Sequence, residues 1–201
     1  KFFKNRNLSI DEPLVNYYPL PYTEWAFSLD NPNMKSVTLR HILSHTSGFS
    51  NWDRLDGPYA GKLKFIPGER FAYSGEGYIY LQRVLEYLSD QSLAEYMQEN
   101  IFIPFNMPNS SYVWLDKFAN NIAEGHGERN VGLDTRWSEG FSAYSLYSTA
   151  SDMANFIIAI LSADKADNFK LGKDDINEML TPQINITSFC SWGLGFGIEH
   201  T

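Results

Sequence analysis

The longest apolar run in the chain, MANFIIAIL at 153–161, constrains the fold most. A helix of that length spans about 14 Å, well short of the ~30 Å hydrocarbon core of a bilayer, so the run does not cross a membrane. Within it Met153, Phe156, Ile157, Ile160 and Leu161 recur at i, i+3, i+4, i+7 and i+8. That spacing predicts a helix with one apolar stripe, buried against the rest of the protein. Thr149-Ala-Ser-Asp152 supplies its N-terminal cap, and Ser148 and Thr149 are read as capping residues.

Other helices follow the same logic. Thr38 caps a short one over about 38–44, with Leu39, Ile42 and Leu43 on one face. A longer one runs from about 77 to 89, with Tyr78, Leu81, Val84, Leu85 and Leu88 on one side. Ser92-Leu-Ala-Glu95 is a capping box that starts the next, which ends before Pro104. Another short helix lies near 173–180, stopped by Pro182. Residues 16–35 carry prolines and Asn/Asp turns and are expected to be irregular, and 106–147 are rich in loops and aromatics. The tail SWGLGFGIE alternates large apolar residues with glycine, which reads as a strand approached closely by neighbouring backbone. Helices first and a strand last predict an α+β fold. A mainly helical, loop-rich region over 1–142 is followed by a helix pair and strand over 143–201.

Composition narrows the function. The chain of 201 residues is long enough for a real core, and 24 acidic against 16 basic residues give a net charge of −8. Without a Lys/Arg cluster, that charge disfavours nucleic acid and anionic membrane as partners. A single cysteine, Cys190, excludes a disulfide framework and a cysteine metal site. The four histidines (His41, His45, His126, His200) lack the H-E-x-x-H spacing of a zinc peptidase, and no glycine-rich phosphate loop is present. No cofactor is expected, and no G-x-S-x-G elbow signposts a nucleophile.

Candidate chemistry sits elsewhere. FIPGERFAYSGEGY at 65–78 crowds Pro67, Gly68, Gly75 and Gly77 around two tyrosines. Pro67 and Gly68 shape a turn that presents Tyr73. His45-Thr46-Ser47-Gly48 has two readings: a base beside a nucleophilic Ser47, or a helix exit with Gly48 in a left-handed turn. The helix exit is favoured, because this chemistry is common at helix C-termini. Ser162-Ala-Asp-Lys165 is a literal S-x-x-K, but its serine closes a helix where a catalytic one would open it.

Taken in order, VTLRHILSHTSGF, FIPGERFAYSGEGYIYL, IFIPFNMPNSSY and YSLYSTASDMANFI resemble the serine β-lactamase and penicillin-recognising superfamily. The branch is that of class C β-lactamases, D-alanyl-D-alanine carboxypeptidases and esterases, and the resemblance runs from about 8 to 198. It implies a β-lactamase/transpeptidase-like fold and a serine hydrolase that works through an acyl-enzyme on a β-lactam, a D-amino-acid peptide or an ester. The partner it implies is a small-molecule or peptide substrate, and the location it implies is the cell envelope or periplasm. Of the three family motifs, S-x-x-K is expected upstream of Lys1 and the Lys- or His-containing triad downstream of Thr201, so that the chain is an internal part of a larger enzyme. His200-Thr201 follows the GLGFGI stretch too soon to be that triad.

The Y-x-N motif is matched by Tyr73-Ser74-Gly75. The resemblance makes Tyr73 the proton-shuttling base and acid, with Ser74 and Gly75 at the substrate. A tyrosine in a model peptide titrates at about 10, so a cation must stand beside it for service near neutral pH. The resemblance supplies that cation from the other two motifs. Gly75 departs from the family's Asn and removes an amide donor and acceptor. That weakens the case for a β-lactamase and fits an esterase or peptidase. Glu76 is within reach of the gap but is not assigned to it. Trp137 and Tyr144 are open to an acyl-pocket or a packing role. The alternative to an enzyme is a non-catalytic member that keeps the fold as a binding or scaffolding protein.

Overall fold

The structure, a computed structural model, describes residues 1–18, 32–52, 62–123, 125–126, 132–133, 136–162 and 172–200. Most of the stretch expected to be irregular at 16–35 lies outside these residues, as do Lys165 and Thr201. The helices are α1 (Phe2–Asn5), α2 (Leu39–Leu43), α3 (Gly75–Ser89), α4 (Leu93–Met97), α5 (Ala150–Leu161) and α6 (Lys173–Met179). The strands are β1 (Gly125–His126), β2 (Gly132–Leu133), β3 (Ile184–Asn185), β4 (Cys190–Trp192) and β5 (Gly197–Glu199). The chain divides into two compact units, Lys1–Asp90 with Ser162–Thr201, and Gln91–Leu161.

In the first unit, local chemistry starts and stops each helix. Thr38 Oγ1 accepts the His41 amide at 3.2 Å, while His41 Nδ1 accepts the Thr38 amide at 3.3 Å, closing a capping box on α2. Ser74 caps α3, its Oγ accepting the Gly77 amide at 2.9 Å, so the helix begins at Gly75, two residues before the expected start. Asp90 ends it in the left-handed conformation, at φ 57°. The buried apolar residues include Leu14, Val37, Ile42, Phe49 and Val84. The buried face of α3 differs from the expected stripe: Ile79, Tyr80 and Gln82 are buried with Val84, and Leu81, Leu85 and Leu88 are only half-buried. The Gln82 amide is accommodated by a hydrogen bond from Nε2 to Glu86 Oε1 at 3.0 Å, which lets a polar side chain sit on the inner face.

The three strands of this unit form an antiparallel sheet in the order β3-β4-β5, with Asn185 opposite Ser191 and Ser191 opposite Ile198. The tail expected to be one strand is therefore a hairpin. Gly195 turns it at φ 87°, and the Gly193 amide donates to Phe196 O at 2.8 Å. The Trp192 indole nitrogen and the Gly195 amide both donate to Leu43 O, at 3.1 and 2.9 Å, and so fasten the hairpin to the end of α2.

In the second unit, Ser92 and Glu95 form the expected box on α4, whose chain continues as a wider turn over Gln98–Phe102. The expected helix at 150–161 is present, with Thr149 Oγ1 accepting the Asp152 amide at 3.2 Å. Its orientation corrects the expectation. Phe156 packs on Phe105 and Ile160 is buried, but Met153, Ile157 and Leu161 are exposed, Leu161 by 73%. Polar anchors set this rotation: Asp152 accepts the Asn109 amide and the Ser110 hydroxyl, and Asn155 Nδ2 donates to Asn106 O.

Helices and antiparallel strands make the fold α+β.

Candidate active site

The loop before α3 is held by the segment His45–Asn51. His45 O accepts the Ala72 amide at 2.8 Å, and His45 Nδ1 accepts the Ser74 amide at 3.1 Å. The Ser74 hydroxyl donates to Ser50 O at 2.7 Å, and Asn51 Oδ1 accepts the Gly75 amide at 2.9 Å. Two turns make this possible. His45 itself is left-handed at φ 54°, and Gly48 follows at φ 82°, where a Cβ would lie 2.6 Å from Phe65 O. The helix-exit reading of HTSG is thus met, while His45 acquires a second task. The base-and-nucleophile reading is not met: Nδ1 is engaged by Ser74, and Ser47 is buried with its Oγ accepting from the Phe49 amide at 3.4 Å.

The three residues of the Tyr-Ser-Gly motif stand differently. Tyr73 is 56% exposed, whereas Ser74 and Gly75 are buried and Ser74 spends its hydroxyl on the helix cap and on Ser50. One face of the Tyr73 ring is covered by His45, with centroids 4.3 Å apart and planes 33° apart. The imidazole is also ringed by Tyr78, Trp192 and Phe71, at 5.2, 5.0 and 5.8 Å. Burial in this aromatic cage pushes the His45 pKa down to about 4, so the ring is neutral at physiological pH. With Nδ1 accepting, the proton belongs on Nε2. Trp192 also stands edge-on to Tyr73 at 6.3 Å.

The place where the family carries Asn is crowded. A Cβ at Gly75 would lie 3.0 Å from Asn51 O, 3.3 Å from Asn51 Oδ1 and 3.4 Å from Trp52. The Asn51 carboxamide therefore sits beside the position that lacks one. Glu76 does not face the gap from solvent, since its side chain is buried in the first turn of α3. Sequence reading missed Asn51 and Trp192; the only signal for either is nearness to a motif, HTSGF for one and the glycine-rich tail for the other.

Elsewhere, Trp137, Phe141 and Tyr144 pack on one another, Phe141 and Tyr144 stacked at 5.0 Å, with Tyr144 exposed. Ser110, Ser148 and Asp152 form a polar network under α5, with Ser148 Oγ 2.8 Å from Ser110 Oγ. Thr149 thus caps the helix as expected, whereas the Ser148 hydroxyl bonds Ser110 and accepts no helix amide. His200 Nε2 lies 2.6 Å from the buried Ser191 Oγ, which donates to Asn185 Oδ1 at 2.8 Å and ties the three strands together. Among the described residues, no group of three or more His, Cys, Asp or Glu is placed to hold a metal ion, and no helix is long and apolar enough to cross a membrane.

A family model described as Beta-lactamase matches residues 3–198. The chain belongs to the Beta-lactamase family. This β-lactamase-family chain is similar to penicillin-binding protein 4* of Bacillus subtilis, at 33% identity over a match covering 36% of the chain and 20% of that protein. The solved penicillin binding protein from Bacillus halodurans superposes with a TM-score of 0.74 at 26% identity, over all of this chain and 64% of that one. Simvastatin synthase from Aspergillus terreus shares the fold, with a TM-score of 0.76 at 18% identity, over 98% of this chain and 62% of that one. The chain spans less than two thirds of the length of each of these relatives. A class C β-lactamase and a D-alanine carboxypeptidase share the fold, and the chain is similar in sequence to a lovastatin esterase of Penicillium rubens, at 22% identity over 76% of the chain and 47% of that protein.

Proposed function

We propose that the protein is part of a serine hydrolase that acts through an acyl-serine intermediate, with Tyr73 as its proton shuttle. The observation that carries this reading is the placement of Tyr73. Its ring is exposed, yet the amides on either side of it are tied to one residue, His45. A side chain needed only for packing has no reason to be presented in this way.

In the proposed cycle, a serine from outside residues 1–201 attacks a carbonyl carbon. Its hydroxyl proton passes to the deprotonated Tyr73 oxygen as the new oxygen–carbon bond forms. When the bond from the carbonyl carbon to the leaving nitrogen or oxygen breaks, Tyr73 returns that proton to the leaving group. Water then repeats the sequence to release the acid. Of the motif's three residues Tyr73 is the exposed one; Ser74 and Gly75 are buried behind it and seat the phenol at the start of the helix. The lack of an amide side chain at Gly75 favours an ester or a D-amino-acid peptide over a β-lactam.

Tyr73→Phe in the full-length protein tests the reading. Turnover of a p-nitrophenyl ester is expected to fall by about 10²- to 10⁴-fold with little change in melting temperature. Unchanged turnover would remove Tyr73 from the mechanism. A second reading, a non-catalytic binding protein on the same fold, is favoured by the missing carboxamide at position 75. Failure of the full-length protein to be labelled by a fluorophosphonate, or by penicillin, would put that reading first.

A further inference from the structure

We propose that His45 is a positioning residue for Tyr73, holding the phenol by stacking under its ring and by anchoring the backbone on both sides of it. The proposal rests on the reading of Tyr73 as the proton shuttle. His45 O takes the Ala72 amide, Nδ1 takes the Ser74 amide, and the imidazole lies 4.3 Å from the ring of the residue between them. One residue thus restrains three consecutive ones.

An exposed tyrosine otherwise keeps its rotamer freedom, and a proton shuttle displaced by an ångström loses much of its effect. The demands on position 45 are specific. Phe or Tyr would stack but accept nothing from Ser74, and Asn would accept but not stack. A left-handed backbone at φ 54° further disfavours bulky residues. Imidazole meets the first two demands only while Nδ1 is unprotonated. The cage of Phe71, Tyr78 and Trp192 keeps it so, and among the described residues burial alone accounts for the downward shift of its pKa. Tyr73 and Tyr78 are the titratable rings that face it.

The test uses the full-length enzyme with a p-nitrophenyl ester and places His45→Gly and His45→Asn beside Tyr73→Phe. Glycine keeps the left-handed turn but removes ring and acceptor. It is expected to lower kcat about 10- to 100-fold with KM changed less than about twofold. Asparagine places an acceptor near Nδ1 and tolerates the backbone, so it is expected to recover a substantial part of that loss. A folded His45→Gly enzyme with full kcat, while Tyr73→Phe is impaired, overturns the positioning role alone. Full activity in Tyr73→Phe overturns the shuttle and this inference with it. If the glycine variant does not fold, Asn against Gln decides, since only Asn sets its oxygen near Nδ1; equal kcat in the two overturns the proposal. Amide exchange at Ser74 reads the anchor without turnover. Protection is expected to drop about tenfold or more in the glycine variant and to return in part with Asn; unchanged protection counts against the anchor.

Discussion

Gly193 stands where the carbonyl of Met179 occupies the space a side chain would need: a Cβ at Gly193 would lie 2.3 Å from Met179 O. The same carbonyl accepts the Leu194 amide at 2.9 Å, so the end of α6 and the turn of the β4–β5 hairpin are locked together. Thr181 O and Ile198 Cδ1, at 3.3 and 3.1 Å from that Cβ position, close off the remaining room. Gly193→Ala is therefore expected to destabilise the protein by about 2–3 kcal/mol through forced separation of backbone. Thermal melting should show a drop of roughly 5–10 °C; an alanine variant that melts with the parent would mean the turn moves aside freely.

Acid should weaken the fold through His45. Its pKa is about 4 in the folded protein, against the ordinary histidine value of 6.5. Between those values the unfolded chain binds the extra proton and the folded chain does not, so stability rises with pH across the window and is lost as pH falls through it. Urea titrations are expected to show on the order of 1–3 kcal/mol lost between pH 6.5 and 4. His45→Asn, which has no proton to take up there, should flatten that part of the profile. An equally steep profile in the variant would assign the loss to other groups.

Asp152 is a buried carboxylate in the first turn of α5, accepting the Asn109 amide at 2.7 Å and the Ser110 hydroxyl at 2.8 Å. It joins the loop after α4 to the helix and benefits from the helix dipole. Asp152→Ala should cost about 2 kcal/mol, since it takes the acceptor from the Asn109 amide and leaves the buried Ser110 hydroxyl with Ser148 alone. Asp152→Asn keeps an accepting oxygen and should cost about half as much. Chemical denaturation of both variants checks the order, and equal losses would show that hydrogen bonding to the carboxyl oxygen is not what matters.

Restoring the family's asparagine at position 75 should not restore a β-lactamase-like site. The Asn51 backbone and carboxamide already fill the space, and Gly75→Asn is expected to destabilise by about 1 kcal/mol from overpacking. Combining it with Asn51→Gly should recover part of that loss, giving a coupling of about 0.5 kcal/mol or more in a double-mutant cycle read by melting. Strict additivity would mean the two positions do not compete for the same space.

Much of the helical framework was legible because its signals are local. Thr38, Ser92 and Thr149 cap the helices they precede, and each cap needs partners only three residues away. Gly48 takes the left-handed turn that HTSG implies, and the ordered segments pointed to the family that the comparisons show. The buried face of a helix is a different matter, since periodicity reports an apolar stripe and not its partner. On α5 the stripe was read correctly but faces outward over Met153, Ile157 and Leu161, because Asp152 and Asn155 bind Ser110 and Asn106 and turn the helix.

The surroundings of Tyr73 were still further from reach. Residues 71–75 announced a presented tyrosine, but the imidazole beneath it comes from His45, the carboxamide beside Gly75 from Asn51, and the indole at its edge from Trp192. Trp192 is fastened there through Leu43 O, a contact between residues 149 apart in the chain. Caps, turns and periodic stripes are written in neighbouring residues and can be read from them. A stacked ring or an occupied Cβ position depends on which distant segments the packing of the core brings together, and so it exists only once the chain has folded.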